Sequence, residues 1–218
     1  MNEKTKEITY ALLKGGLGSI PLAGGVASEV FGVIFSDPAT KRRDRAMSDI
    51  VKKISLLEAE GFRVEELIEN EEFVSVVIKA YNIVMQTHQE DKITALMNTI
   101  YNTPRLSIGE NEKIIFLNYI NDFTEWHLRI LIYFNDPEGF YGNDNRPIYD
   151  RSPHISTLIT DAFPELKGKR EFYTQITRDL YNKGLYKFQT IENFFDRPSD
   201  IWKPSTTNYG KDFIKFIS

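Results

Sequence analysis

Apolar residues in the first two-thirds of the chain recur at spacings of three and four, the period of an amphipathic helix. Met47, Ile50, Val51, Ile54 and Leu57 form one such stripe. The helix that carries it is predicted to begin at Ser36 or Asp37, whose side-chain oxygens can cap free N–H groups, with Pro38 in the first turn and Gly61 as the stop. A short helical turn over 63–69 precedes a long helix over 71–87, striped by Phe73, Val76, Val77, Ala80, Val84 and Met85. Ile93, Leu96, Met97, Ile100 and Tyr101 predict a helix over 90–101 that Pro104 closes. The same period continues through Ile114, Ile115, Leu117 and Ile120, and then through Trp126, Leu128, Leu131 and Ile132 behind a Thr124 cap.

Asn, Asp, Gly and Pro crowd residues 135–153, which is the chemistry of turns and loops. Beyond them a short helix over 156–163 leads to a longer one over 169–183, with Phe172, Tyr173, Ile176 and Leu180 on one face and Gly184 as its end. Residues 185–188 read as a short strand. A polar excursion through Pro198 and Pro204 follows, and Tyr209, Phe213, Phe216 and Ile217 mark a closing helix. Helix, helix, short strand and return is the order of a winged-helix module. The expectation is therefore a mostly α protein: a helical bundle over 1–134, a linker over 135–153, and a small winged-helix-like α+β module over 154–218.

The segment between Ile8 and Phe35 stands apart, because it holds six of the 13 glycines and its only charges are Lys14 and Glu29. From Leu17 to Phe35 it would span roughly 28 Å as a helix at about 1.5 Å per residue, close to the hydrocarbon thickness of a bilayer. Leu17, Ile20, Leu22, Val26, Val30, Phe31, Ile34 and Phe35 would then make the membrane contact. Glycine lowers helix propensity and Glu29 would be costly in lipid, so the same segment also reads as an apolar helix packed inside a soluble bundle. Directly after it, Lys41, Arg42, Arg43 and Arg45 form a basic collar, which anionic headgroups attract and which also reads as a solvated helix face.

Overall charge narrows the choice of partner. The formal net charge is −4, from 27 basic and 31 acidic residues, so any binding to nucleic acid or anionic lipid needs a local patch. Cysteine is absent, which excludes disulfides, thiol nucleophiles and cysteine-ligated metals and fits a cytoplasmic protein; the apolar segment and basic collar add the expectation that it becomes peripheral to the membrane on activation. The first residues lack a charged-then-apolar leader with a cleavage site.

Catalytic and cofactor motifs fail on context. Gly15-Gly16-Leu17-Gly18-Ser19 has no preceding strand and no Gly-Lys-Ser/Thr, and Pro21 stands where a dinucleotide fingerprint needs glycine. His88, His127 and His154 share no metal-ligand spacing, and Asn143-Asp144-Asn145 lacks the glycine and glutamate of a calcium loop. No Gly-x-Ser-x-Gly elbow occurs, although a convergent triad is recognised only in space. No cofactor, metal or catalytic residue is expected, and a non-enzymatic role is favoured. The alternative to membrane engagement is a regulatory protein that binds DNA or a protein partner through Gln175, Arg178, Asn182 and Lys183 on the outer face of the 169–183 helix, and self-association is a further expectation without an assigned surface. Glu171 and Asp179 interrupt that face, which disfavours phosphate contact.

Several stretches carry a resemblance: GGVASEVFGVIFSDPATKRRDRAM, THQEDKITALMNTIYN, FLNYINDFTEWHLRIL with NDP after it, and YTQITRDLYNKGL with TTNYGKDFIKFI. In these the chain resembles a broad, uncharacterised family of bacterial proteins with a glycine-rich apolar start and a winged-helix-like end. Ala46 departs from it, since a tryptophan is expected after the Arg-Arg-Asp element. More remotely, the arrangement is similar to bacterial HeLo-like cell-death domains and to the abortive-infection alpha family. That resemblance implies membrane perturbation in a phage-defence response, with the N-terminal segment as the active element.

Overall fold

The computed structural model describes residues 38–142 and 145–218. Contacts divide the chain into two compact units, one running through Asp122 and regaining Phe216–Ser218, the other formed by Phe123–Lys215. Among the described residues the protein is mostly helical and contains no strand.

Among its described residues the first unit contains α1 (Pro38–Ala59), α2 (Val64–Glu69), α3 (Glu71–Gln86), α4 (Glu90–Asn102) and α5 (Glu110–Asp122). The predicted stripe of α1 turns inward, with Met47, Ile50, Ile54 and Leu57 buried and Val51 half-buried. Gly61 ends the helix at φ +96°, a left-handed conformation that costs glycine little, and Phe62 N–H reaches back to the Leu57 carbonyl at 3.0 Å. Asn70 caps α3 by accepting the Phe73 N–H at 2.9 Å. Helix α5 is rotated from the expected stripe: Lys113, Phe116, Leu117 and Ile120 are buried, whereas Ile115 is exposed. The cause is polar. Lys113 Nζ donates to the Thr103 carbonyl at 2.9 Å and pairs with Glu72 at 2.8 Å, so an amine occupies a position that hydrophobicity would assign to a neighbour.

The second unit contains α6 (Glu125–Asn135), α7 (Pro137–Tyr141), α8 (Ile155–Ala162), α9 (Arg170–Asn182) and most of α10 (Asn208–Ile217), with 3₁₀ turns at Pro164–Leu166 and Pro198–Trp202. Helix α6, expected with the bundle, belongs here and packs against α9. Residues 137–141, expected as loop, are helical because Pro137 opens the turn and Asp136 accepts the Gly139 N–H at 2.9 Å. The strand expected over 185–188 is reduced to one antiparallel bridge, Tyr186 to Thr206, with Lys187 N–H on the Ser205 carbonyl and Thr207 N–H on the Leu185 carbonyl, each at 3.1 Å. A second bridge joins His154 to Phe194. The short return segments bury single rings and do not alternate long enough to extend either ladder.

Rings organise the core of this unit. Tyr133 contacts Phe134, Phe140, Tyr141 and Phe163 at centroid distances of 4.8–6.2 Å, and Tyr186 stacks near Phe134 at 4.8 Å. Gly210 lets α10 approach the chain at Leu185, since a Cβ at that position would lie 2.1 Å from the Leu185 carbonyl oxygen.

Candidate functional site

The described part of the basic collar sits on a groove of the first unit. Lys41, Arg42, Arg45 and Asp49 are spaced so that successive turns of α1 present them on one side, next to the small Ala46. Opposite them are Thr87 and His88, which follow α3, and Glu90 at the start of α4. The cavity between them has a volume of about 220 Å³, and buried Ala46, Val84 and Ile93 supply its apolar lining.

Electrostatics hold the groove in shape. Arg45 grips Glu90 with both terminal nitrogens, Nη1 to Oε1 at 2.8 Å and Nη2 to Oε2 at 2.6 Å, while its Nε lies 3.8 Å from Asp49. Hydrogen bonding from Arg45 holds the Glu90 carboxyl below the usual carboxylate range, although desolvation opposes the shift. Arg42 donates Nη1–H to the Met85 carbonyl at 3.0 Å, a bond at the C-terminal turn of α3 that orients the guanidinium without cancelling its charge. Thr87 Oγ1 accepts the Gln89 N–H at 3.2 Å. Arg43 is not a lining residue and its Nε points to Asp44 at 3.3 Å.

The structure thus brings three of the four collar residues together. It adds Asp49, Thr87, His88 and Glu90, which the linear pattern did not connect with them. Glu90 reads in the sequence as an acid at a helix start, and its second role as the partner of Arg45 depends on a separation of 45 residues. Leu17, Ile20, Leu22, Val26, Val30, Phe31, Ile34 and Phe35 lie outside the described residues, as do the glycine-rich Gly15–Ser19 motif and the cap expected at Ser36 or Asp37.

On α9, Gln175, Arg178 and Asn182 are exposed and Lys183 is half-buried. Asp179 lies among them and accepts the Gln175 Nε2–H at 2.8 Å, while the Lys183 ammonium sits 5.8 Å from the centre of the Phe123 ring. Asp179 also meets His127, whose Nε2 is 3.5 Å from Oδ2. On the other side His127 Nδ1 lies 3.0 Å from Thr124 Oγ1 and accepts the Thr124 backbone N–H at 3.1 Å. Hydroxyl, imidazole and carboxylate in a row invite comparison with a nucleophilic triad. The backbone N–H already claims the Nδ1 lone pair, so the arrangement works as a helix cap in which the histidine stands at the third helical position. The signal for it is Thr124 three residues before His127.

A third cluster gathers phenols. Tyr149 donates to Asp161 at 2.9 Å, Tyr141 and Tyr149 meet the Trp202 ring, and the Arg146 guanidinium lies 5.7 Å from that ring while pairing with Glu138 at 2.6 Å. Burial pushes the phenols of Tyr133, Tyr149 and Tyr186 up, with Tyr141 reinforcing the shift at Tyr133 and Asp161 that at Tyr149. His154 Nδ1 is 2.7 Å from the Glu192 carbonyl.

No protein-family model, curated protein or solved structure matches this chain. Among the described residues no helix is long and apolar enough to cross a membrane, and no three His, Asp or Glu side chains gather as a metal site requires.

Proposed function

We propose that this chain acts by contact and not by turnover, as an effector whose residues 15–35 engage membrane on activation. The reading is carried by one observation: an apolar run with Lys14 and Glu29 as its only charges leads directly into a helix whose first turns put Lys41, Arg42 and Arg45 around an open groove. Basic residues at that position draw anionic headgroups toward the apolar segment. A bacterial cell-death or phage-defence setting agrees with the arrangement of an apolar leader joined to a helical bundle, and the protein would be cytoplasmic until triggered.

Liposome co-sedimentation and dye release test the proposal. The full chain is expected to bind and permeabilise vesicles containing phosphatidylglycerol, and deletion of residues 1–36 should abolish both effects. Full-length protein that leaves such vesicles untouched, or a deletion that leaves toxicity in cells unchanged, overturns it.

The second unit supports another reading, a winged-helix-like module that contacts DNA or a protein. It is favoured by the succession of α8, α9 and the Tyr186–Thr206 bridge, and by the exposure of Gln175, Arg178 and Asn182 along α9. Salt-dependent binding to duplex DNA, weakened by Arg178→Ala and Lys183→Ala, is the expected result for the DNA version. Binding that ignores both salt and these substitutions excludes it.

A further inference from the structure

The collar residues do more than add positive charge to a surface. Lys41, Arg42 and Arg45 line one cavity together with a threonine and a histidine, and two carboxylates share the space. At about 220 Å³ the cavity is smaller than the roughly 300–1,000 Å³ of sites for drug-sized ligands, so its occupant is a single small head group. A guanidinium and an ammonium lining one cavity match the oxygens of a phosphate, the first by its planar fork and the second as a compact charge. Thr87, whose oxygen accepts from Gln89, retains its O–H as a donor. The apolar lining of Ala46, Val84 and Ile93 accepts the carbon adjoining such a group.

We infer that this groove is a binding site for one phosphate ester, held by Lys41 and Arg42, and that Glu90 competes with it for Arg45. The Arg45 and Glu90 side chains are 57% and 61% exposed, so water screens their pairing and leaves it exchangeable. An arriving phosphate is repelled by Glu90 and attracted by Arg45. When the Glu90 carboxylate turns outward, Arg45 is transferred from an internal anion to the ligand. Asp49, 3.8 Å from the Arg45 Nε, keeps the guanidinium near the groove during the exchange. The inference deepens the membrane reading by naming the group that the collar recognises, and the source of that group is either a phospholipid headgroup or a free phosphate ester.

The opposite effects of two substitutions test it. Full-length protein is titrated calorimetrically with glycerol 3-phosphate, and separately floated with phosphatidylcholine vesicles that contain or lack phosphatidylglycerol. Arg42→Ala should weaken binding about tenfold, the size of one lost charged hydrogen-bond partner. Glu90→Gln should tighten it about fivefold, because a nearby like charge is removed and Arg45 released. A gain of affinity does not arise from misfolding, so the second variant guards the first. Both changes in the phosphatidylglycerol arm assign the site to a lipid headgroup. Both changes with glycerol 3-phosphate alone, and no vesicle binding, keep the site and remove the membrane reading. Vesicle binding that neither variant alters overturns this inference and leaves the membrane reading to residues 15–35. Absence of binding in both arms overturns it as well.

Discussion

The two units solve the problem of filling an interior differently. In the first, long helices lay aliphatic stripes against one another, and Ile50, Ile54, Leu57, Val76, Val77, Leu96 and Ile100 are almost wholly enclosed. Among the described residues its buried polar groups are specifically answered, as with Lys113 on Thr103 and Glu72 and Lys92 on the Asn121 carbonyl. In the second, shorter helices and irregular returns surround a net of rings, several with hydroxyls enclosed alongside them. Aliphatic stripes tolerate neighbours of similar volume, whereas rings bring polar tips that must also be placed. The second unit is therefore the more sensitive to proton activity, and the first to the loss of a single buried partner.

The largest effect expected of this contrast is alkaline. Tyr133, Tyr149 and Tyr186 all titrate above their ordinary value of 10.0 in the folded protein, chiefly because burial disfavours the phenolate. Below pH 10 both folded and unfolded states hold these protons; above it the unfolded chain ionises first, so stability falls as pH rises. Urea unfolding followed by near-ultraviolet circular dichroism should show a steep loss above pH 10, reduced when all three are replaced by phenylalanine. A profile that is flat there would contradict the enclosed-phenol account.

In the first unit Lys113→Ala should cost about 3–5 kcal/mol, since it strands the Glu72 carboxylate and the Thr103 carbonyl. Denaturant midpoints measure it, and a cost near zero would mean that Lys113 is wetter than its 3% exposure indicates. Gly210→Ala in the second unit should cost about 1–3 kcal/mol, because the added methyl meets backbone at Leu185 and cannot be relieved by turning a side chain. Tyr186→Phe should be the mildest, neutral or about 1 kcal/mol stabilising, because its buried hydroxyl finds no hydrogen-bond partner among the described residues. A large destabilisation by Tyr186→Phe would reveal a bond that this hydroxyl does make.

Legibility from sequence follows the same division. Helices α1, α3 and α4 are readable because their faces obey one period over three or more turns and their ends carry Pro38, Gly61 and Pro104. The face of α5 departs from the periodic pattern at Ile115 because periodicity counts an amine as polar and carries no trace of the Thr103 carbonyl and Glu72 carboxylate that receive Lys113. The expected strand over 185–188 shrinks to one bridge for a related reason. Leu185, Tyr186 and Phe188 look like strand residues, yet their rings and side chains are satisfied by packing on Phe134 and Phe195 with one bridge to Thr206. At the groove, the cations were visible as a run, whereas their convergence with Thr87, His88 and Glu90 depends on how α1, α3 and α4 pack.

The return of the chain to the first unit has a kinetic consequence. Asn98 donates to the Ile217 carbonyl, and Asn102 to those of Phe216 and Ser218, across separations of 114 to 119 residues. On a ribosome these two amides emerge long before their acceptors, so α4 must wait with its donors turned to water while the entire second unit is synthesised. Closing so long a loop costs entropy that only late contacts repay, which makes the seal at Asn98 and Asn102 a late step of folding. The bundle of the first unit is thus begun early in synthesis and finished by residues made only after the second unit.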